Sequence, residues 1–294
     1  IYGLICCCGR GAVVALCLRQ GVGGDMAISA SSTIASGKGE GDWASSADRW
    51  IFVFMAALFF LTALAGFIPD SVKKLDMVAA SARPAFPVIL HVHSLLMGAW
   101  LSLLLVQSAL MANGNRRLHM KLGVAAVILA PAIVITGAIL VTTIYGQYWE
   151  AASLATGAER AGFEADLVIK GNLTLRNLVG AVLFPLFVVL ALRARLRDPG
   201  FHKRMMFLAT VVPLPAAMAR LTWLPSTMPD SSISLDLFTL AWIAPMFLWD
   251  LYRLRSVHRA YWIWAVFMVP TGIAINLLWD SPWWHAFAPG LLYR

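Results

Sequence analysis

The sequence predicts an all-α fold, a polytopic transmembrane helix bundle of seven spans, and three observations predict it. Of the 294 residues, 60% are apolar and only 13% are charged, and the mean hydropathy is +0.75, which excludes an ordinary soluble domain. Seven stretches, 50–68, 86–111, 122–145, 173–192, 205–224, 235–251 and 261–278, approach the roughly 20 apolar residues that a bilayer-crossing helix needs. None of them has the short alternating pattern of a barrel strand. The third observation is the placement of charge. Thirteen Lys and Arg residues lie before the first stretch and after the second, fourth and sixth, against seven in the other set of loops. Positive charge is retained in the cytoplasm, so the N-terminus is expected there and the C-terminus outside. The +8 net charge is then a topology signal, and nucleic acid is not an expected partner.

The elements follow in order. All four cysteines (Cys6, Cys7, Cys8 and Cys17) fall near the start with no histidine beside them, which is not a zinc pattern. Arg10 interrupts the apolar segment 1–18, and Met26 is read as the native start, with 1–25 not native. Residues 27–48 are rich in Ser, Gly and Ala, so 1–48 reads as a flexible tail, 49–280 as the bundle and 281–294 as an interfacial tail.

The second span carries two histidines, His91 and His93, which a helix turns to nearly opposite faces. Ser94, Gly98 and Ser102 share the side of His91 as a row of small residues that lets backbones approach. His91 is therefore expected to pack and hydrogen-bond against another helix. His93 lies with Met97, Trp100, Leu104 and Gln107, and is expected to line a cavity.

Three basic hairpin loops lead into similar strings: HMKLGVAAVILAP at 119–131, HKRMMFLATVVP at 202–213 and HRAYWIWAVFMVP at 258–270. Each begins with a histidine near Lys or Arg and reaches a proline 11 or 12 residues later. The bundle therefore reads as three repeated helical hairpins with one leading helix, each returning helix bent at its proline. The string RRLHMKLG at 116–123, the H-x-H of the second span with Gln107 downstream, and HKRMM at 202–206 resemble a group of uncharacterised bacterial multi-pass membrane proteins. The resemblance covers roughly 50–260 and implies a bacterial inner-membrane location, without implying an activity.

Two polar sites are expected. At the outer face Arg220, too costly to leave unpaired in a membrane, is expected to pair with Asp236 and to form with His93, Asn177 and Gln107 a site for an anionic or quinone-like headgroup. At the cytoplasmic face His119, Lys121, His202, Lys203, Arg204, His258 and Arg259 read as a phosphate- and lipid-binding belt at helix N-termini. The stretch 146–171 is the longest external loop and is expected to form a short surface helix over the outer site. Trp279, Trp283, Trp284 and His285 read as an interfacial aromatic belt.

A retinal-binding rhodopsin is excluded, because no lysine follows Lys203. P-loop, H-E-x-x-H and C-x-x-C-H patterns are absent from the sequence. The expected function is non-catalytic: binding or transport of a small amphiphile, or service as an accessory subunit of a membrane complex, with membrane lipids and such subunits as partners. The alternative is a redox protein holding haem b or a quinone, since intramembrane histidines serve as axial ligands.

Overall fold

The computed structural model describes residues 40–293, and Met26 and the four cysteines lie outside the described residues. The chain divides at 47/48, and the unit Asp48–Arg294 carries every contact discussed below. Its elements are helical: α1 (Glu40–Ala79), α2 (Val88–Ala112), α3 (Arg116–Leu122), α4 (Ala125–Leu154), α5 (Gly157–Ala194), α6 (Pro199–Thr210), α7 (Pro215–Met218), α8 (Ile233–Leu254), α9 (Arg259–Leu278) and α10 (Pro282–Leu292). The end of the expected tail, 40–48, is therefore helical.

Among the described residues six segments are long and apolar enough to cross a membrane: Ser45–Ala79, Val88–Ala112, Arg116–Leu154, Gly157–Ala194, Ile233–Leu254 and Arg259–Leu278. Their outward faces carry large apolar side chains such as Leu95, Ile128, Val182, Leu248 and Val266, as expected of helices that meet lipid on one side. The expected fifth span, 205–224, is the exception. It is broken into α6, a series of tight turns and the four-residue α7. Pro213 and Pro215, two residues apart, each lack a backbone N–H and clash with the preceding turn, so a helix cannot run through both.

This broken stretch is nonetheless among the most deeply buried parts of the chain, with Met205, Leu208, Ala209 and Val211 fully enclosed. Irregular buried backbone needs partners for its freed polar groups, and here those partners are identifiable. Val212 N–H bonds to Ala209 instead of continuing the helix to Leu208, and the freed Leu208 carbonyl accepts from Trp264 Nε1 at 3.0 Å. Trp100 Nε1 donates to Thr210 Oγ1 at 3.1 Å. Gly66 of α1 lies so close to the Ala217 carbonyl that any Cβ there would collide with backbone.

Contacts with α1 advance steadily along the broken stretch. Lys203 lies over the ring of Phe52, Phe207 packs on Phe52 and Phe59, Ala217 meets Gly66 and Arg220 reaches Asp70. Phe52 and Asp70 are about 27 Å apart along a helix that rises 1.5 Å per residue. Helix α8 runs the other way, Trp242 bonding Thr62 and Trp249 bonding Asp48.

Two further expectations need correction. The stretch 146–171 is not a loop: α4 continues to Leu154, Gly157 turns the chain with φ +57°, and α5 starts at once. Alanine is the commonest residue of that stretch and favours helix. The C-terminal segment is likewise helical in α10, where Trp284 is buried and donates to the Gly171 carbonyl at 2.9 Å. Trp279 is also buried and donates to the Pro229 carbonyl. Only Trp283 of the three expected belt tryptophans is exposed.

Candidate functional site

Two clusters of charge lie far apart on α1, one at Asp48 and the other at Asp70, about 33 Å along the helix at its usual rise. At the first, the Arg204 end, α6, α8 and α9 converge. Arg204 and Asp250 are 6% and 4% exposed, and form a two-pronged ion pair with Nε to Oδ2 at 2.6 Å and Nη2 to Oδ1 at 2.5 Å. The remaining donors and acceptors are used as well. Arg204 Nη1 donates to the Gly200 carbonyl at 2.9 Å, and Tyr261 O–H donates to Asp250 Oδ2 at 2.5 Å. Such pairing is what a buried charge requires. A cleft of about 260 Å³ opens beside it, lined among others by Asp48, Phe52, Lys203, Trp249 and Arg253.

Around this pair the hairpin ends are fastened. Asp198 caps α6 at Phe201 N–H and binds Arg259 Nη2 at 2.7 Å, and both contacts hold its carboxyl below the usual carboxylate range. His258 caps α9, its Nδ1 accepting from Ala260 N–H; burial and then the nearby Arg204 hold its pKa below the ordinary value. His202 Nδ1 lies 2.9 Å from the Ala191 carbonyl, and His119 Nδ1 lies 3.4 Å from that of Gln107. Burial lowers the His202 pKa.

At the second, the Arg220 end, charge is not balanced. Asp70 is shared by Lys74 at 2.6 Å and Arg220 at 2.9 Å. Lys170 sits 3.5 Å from Asp166, with its ammonium 3.4 Å from the centre of the Tyr148 ring. Arg83 lies over Phe86 at 4.4 Å and beside Tyr148, close enough to Lys74 and Lys170 for the like charges to repel. Its Nε and Nη1 are buried and have no hydrogen-bond partner. Four cations therefore share two carboxylates, and the fourth cation is left without an acceptor at two of its nitrogens.

The expected outer site is only partly assembled. Arg220 pairs with Asp70, while Asp236 pairs with Arg176 at 2.9 Å and accepts from Asn276 at 2.8 Å. Asp70 stands just past the apolar stretch 50–68 and Arg176 lies within α5, and neither position marks its distant partner in the sequence. Asn177 is exposed, one position round the helix from Arg176. Gln107 lies near the other end of α2 and donates through Nε2 to the His119 carbonyl, so it does not join His93.

Neither histidine of α2 takes its expected place. His93 Nδ1 lies 3.0 Å from Thr136 Oγ1 on α4, and its ring packs on Gly137. Thr136 already donates to Ala132, so its oxygen accepts from His93. His91 is exposed and only edges against Phe86. Trp100 and Leu104 are buried and turn their side of α2 inward, whereas Ser94, Gly98 and Ser102 face outward. Burying the larger apolar surface outweighs close backbone approach.

The expected cytoplasmic belt is also redistributed. Arg204 and Arg259 are committed to Asp250 and Asp198, Lys203 stacks on Phe52, and Lys121 is exposed in the last turn of α3. Arg204 is thus a structural ion-pair partner and not a free headgroup contact. Among the described residues no three His, Cys, Asp or Glu side chains gather as a metal site. Compared with protein-family models, curated proteins and solved structures, the chain matches none.

Proposed function

We propose that this is a seven-crossing bacterial inner-membrane protein, with its N-terminus in the cytoplasm and its C-terminus outside, that binds or transports a small anionic amphiphile. The seventh crossing would be the broken stretch α6–α7, enclosed by its neighbours instead of meeting lipid. The advance of its contacts from Phe52 to Asp70 on α1 supports that count. So does the division of basic residues between the loops. The resemblance of 116–123 and 202–206 to strings of bacterial multi-pass membrane proteins is the basis for the location.

One observation carries the ligand class: two guanidinium nitrogens of Arg83, Nε and Nη1, are buried and have no acceptor, although Lys74 and Lys170 add positive charge around it. An unpaired buried cation is costly, and a carboxylate or phosphate headgroup would supply the missing acceptors bidentately. Phe86 and Tyr148 beside it offer apolar surface to the first carbons of the tail. In the proposed orientation this site faces the outer leaflet. Arg83, Lys170, Lys74 and Arg220 replace the set expected from the sequence (His93, Asn177, Gln107, Arg220 and Asp236), retaining only Arg220.

Native mass spectrometry of the purified protein with added oleate or uncharged oleyl alcohol tests this reading. Oleate should be retained and oleyl alcohol released, and Arg83→Gln combined with Lys170→Gln should abolish the difference. Equal retention of oleate by the variant and the wild type would refute the site.

A further inference from the structure

The Arg204–Asp250 pair is closed, but the rim of the cleft beside it is not. Asp48 accepts from Arg253 Nε at 3.1 Å and Nη2 at 2.7 Å, and from Trp249 Nε1 at 2.9 Å. A guanidinium carries five N–H donors, and these contacts use only the edge of Arg253 that faces Asp48. Among the described residues Arg253 Nη1 has no partner. Lys203 enters the same cleft from α6, its ammonium 4.4 Å from the centre of the Phe52 ring. Among the described residues that ammonium has an aromatic face beneath it and no hydrogen-bond acceptor.

Three cations line the cleft, Lys203, Arg204 and Arg253, against two carboxylates, Asp48 and Asp250. Both carboxylates are committed to fixed partners, so one positive charge and two sets of N–H donors are left over. Their complement is an oxyanion of single charge, which can accept from a lysine and an arginine at once. The volume of about 260 Å³ lies just below the range of roughly 300–1,000 Å³ for drug-sized ligands, so it suits a small headgroup. Leu254, in the last turn of α8, also lines the cleft, and Leu251 and Leu248 stand exposed behind it at three-residue steps. The charged cleft therefore opens onto a lipid-facing side of the bundle, at a helix end where headgroups lie.

We propose that this cleft binds the phosphate of an anionic phospholipid, which bridges the Lys203 ammonium and the free edge of Arg253 while an acyl chain lies along Leu254, Leu251 and Leu248. Arg204 and Asp250 make the fixed floor and do not contact the lipid. In the proposed orientation the cleft faces the cytoplasmic leaflet, whose anionic lipids attract basic residues near the surface. The site is separate from the amphiphile site at the Arg220 end and does not depend on it.

The test is native mass spectrometry of the delipidated full chain in detergent, with phosphatidylglycerol or phosphatidylcholine of the same acyl chains. It is repeated in the chain carrying Arg83→Gln and Lys170→Gln, so that the anion site at the Arg220 end does not contribute. Phosphatidylglycerol should be retained in preference to phosphatidylcholine in both chains. Lys203→Gln should weaken its retention by about tenfold, the effect of losing one charge-assisted hydrogen bond. The melting temperature should not change, since Lys203 is exposed and pairs with no carboxylate among the described residues. Lys203→Arg should keep the lipid. Lys121→Gln removes another exposed cation, in α3 and outside the cleft, and should have no effect. An equal loss in Lys121→Gln would reduce the binding to general surface attraction and overturn the site. Equal retention of phosphatidylcholine, or retention of phosphatidylglycerol indifferent to Lys203→Gln, overturns it as well. Inorganic phosphate separates the two sources of the anion: it should leave phosphatidylglycerol in place, and displacement of the lipid by an equal concentration of phosphate overturns the lipid in favour of the free ion.

Discussion

The Arg204 end and the Arg220 end are built from the same residue types, yet one closes its electrostatic accounts and the other does not. Asp250 meets both prongs of Arg204 and the hydroxyl of Tyr261, so the buried charges there have fixed complements inside the protein. At the other end one carboxylate, Asp70, serves two cations, and Arg83 keeps two buried nitrogens without an acceptor. The contrast teaches that a buried charge by itself says little about function. What distinguishes a ligand site from a structural clamp is whether hydrogen-bonding capacity remains unspent.

The largest expected effect lies at the closed end. Replacing Asp250 by Ala strands Arg204 in the interior, which should cost about 3–5 kcal/mol, the range for removing one member of a buried pair. Denaturant unfolding in micelles would measure it. The joint variant Arg204→Met and Asp250→Leu should recover much of that loss, since a well-packed apolar replacement of a buried ion pair is often neutral. Failure of the joint variant to recover would mean that Tyr261 or Gly200 depends on the pair for more than charge balance.

A smaller effect is expected from acid. Burial keeps His202 and His258 below the ordinary imidazole pKa, so as pH falls the unfolded chain takes up these protons before the folded one does. Stability contributed by the neutral rings is present above about pH 6.5 and is lost as pH falls below it. Arg204 and Arg259 oppose protonation of His258, Asp198 and Asp250 favour it, and His119 and Arg195 oppose that of His202. Thermal melts between about pH 8 and pH 5 should show the decline, and His202→Asn should flatten it. An unchanged slope in that variant would locate the acid sensitivity elsewhere.

The smallest effect belongs to the open end. Arg83→Gln removes a charge that nothing in the protein neutralises and relieves its repulsion with Lys74 and Lys170. Stability should stay level or rise, since the lost contacts with Phe86 and Tyr148 are set against relief of buried donors that have no acceptor. A loss of several kcal/mol would make Arg83 a structural residue and dissolve the difference between the two ends.

Helix-forming apolar stretches were legible in the sequence because length and composition decide them, and six of the seven expected spans correspond to long apolar helices. The seventh was misread as a bent helix, although Pro213 and Pro215 together forbid one. Faces were harder to read than spans. The row Ser94, Gly98, Ser102 suggested the packed side of α2, but Trp100 and Leu104 decided it, since the partner helix that offers them a bed is invisible in a single segment. Partners were hardest. Arg220 was expected to pair with Asp236, whereas the pairing with Asp70 depends on how α1 lies against α7, which no local pattern encodes. The shared wiring of His119 and His202 was foreshadowed by the aligned hairpins, but the opposite polarity of His258 was not.

The tryptophan that completes the broken stretch has a consequence for how the chain is made. The Leu208 carbonyl finds its donor in Trp264, 56 residues further on, and the irregular backbone after it is sheltered by helices on both sides of it in the sequence. When this stretch emerges from the ribosome, the later helices that shelter it have yet to be synthesised. Helix α1 can receive it through Gly66, but closure must wait for α9. Biogenesis therefore has a built-in order, in which a partly exposed segment is held near the membrane until the last long helix arrives to lock it.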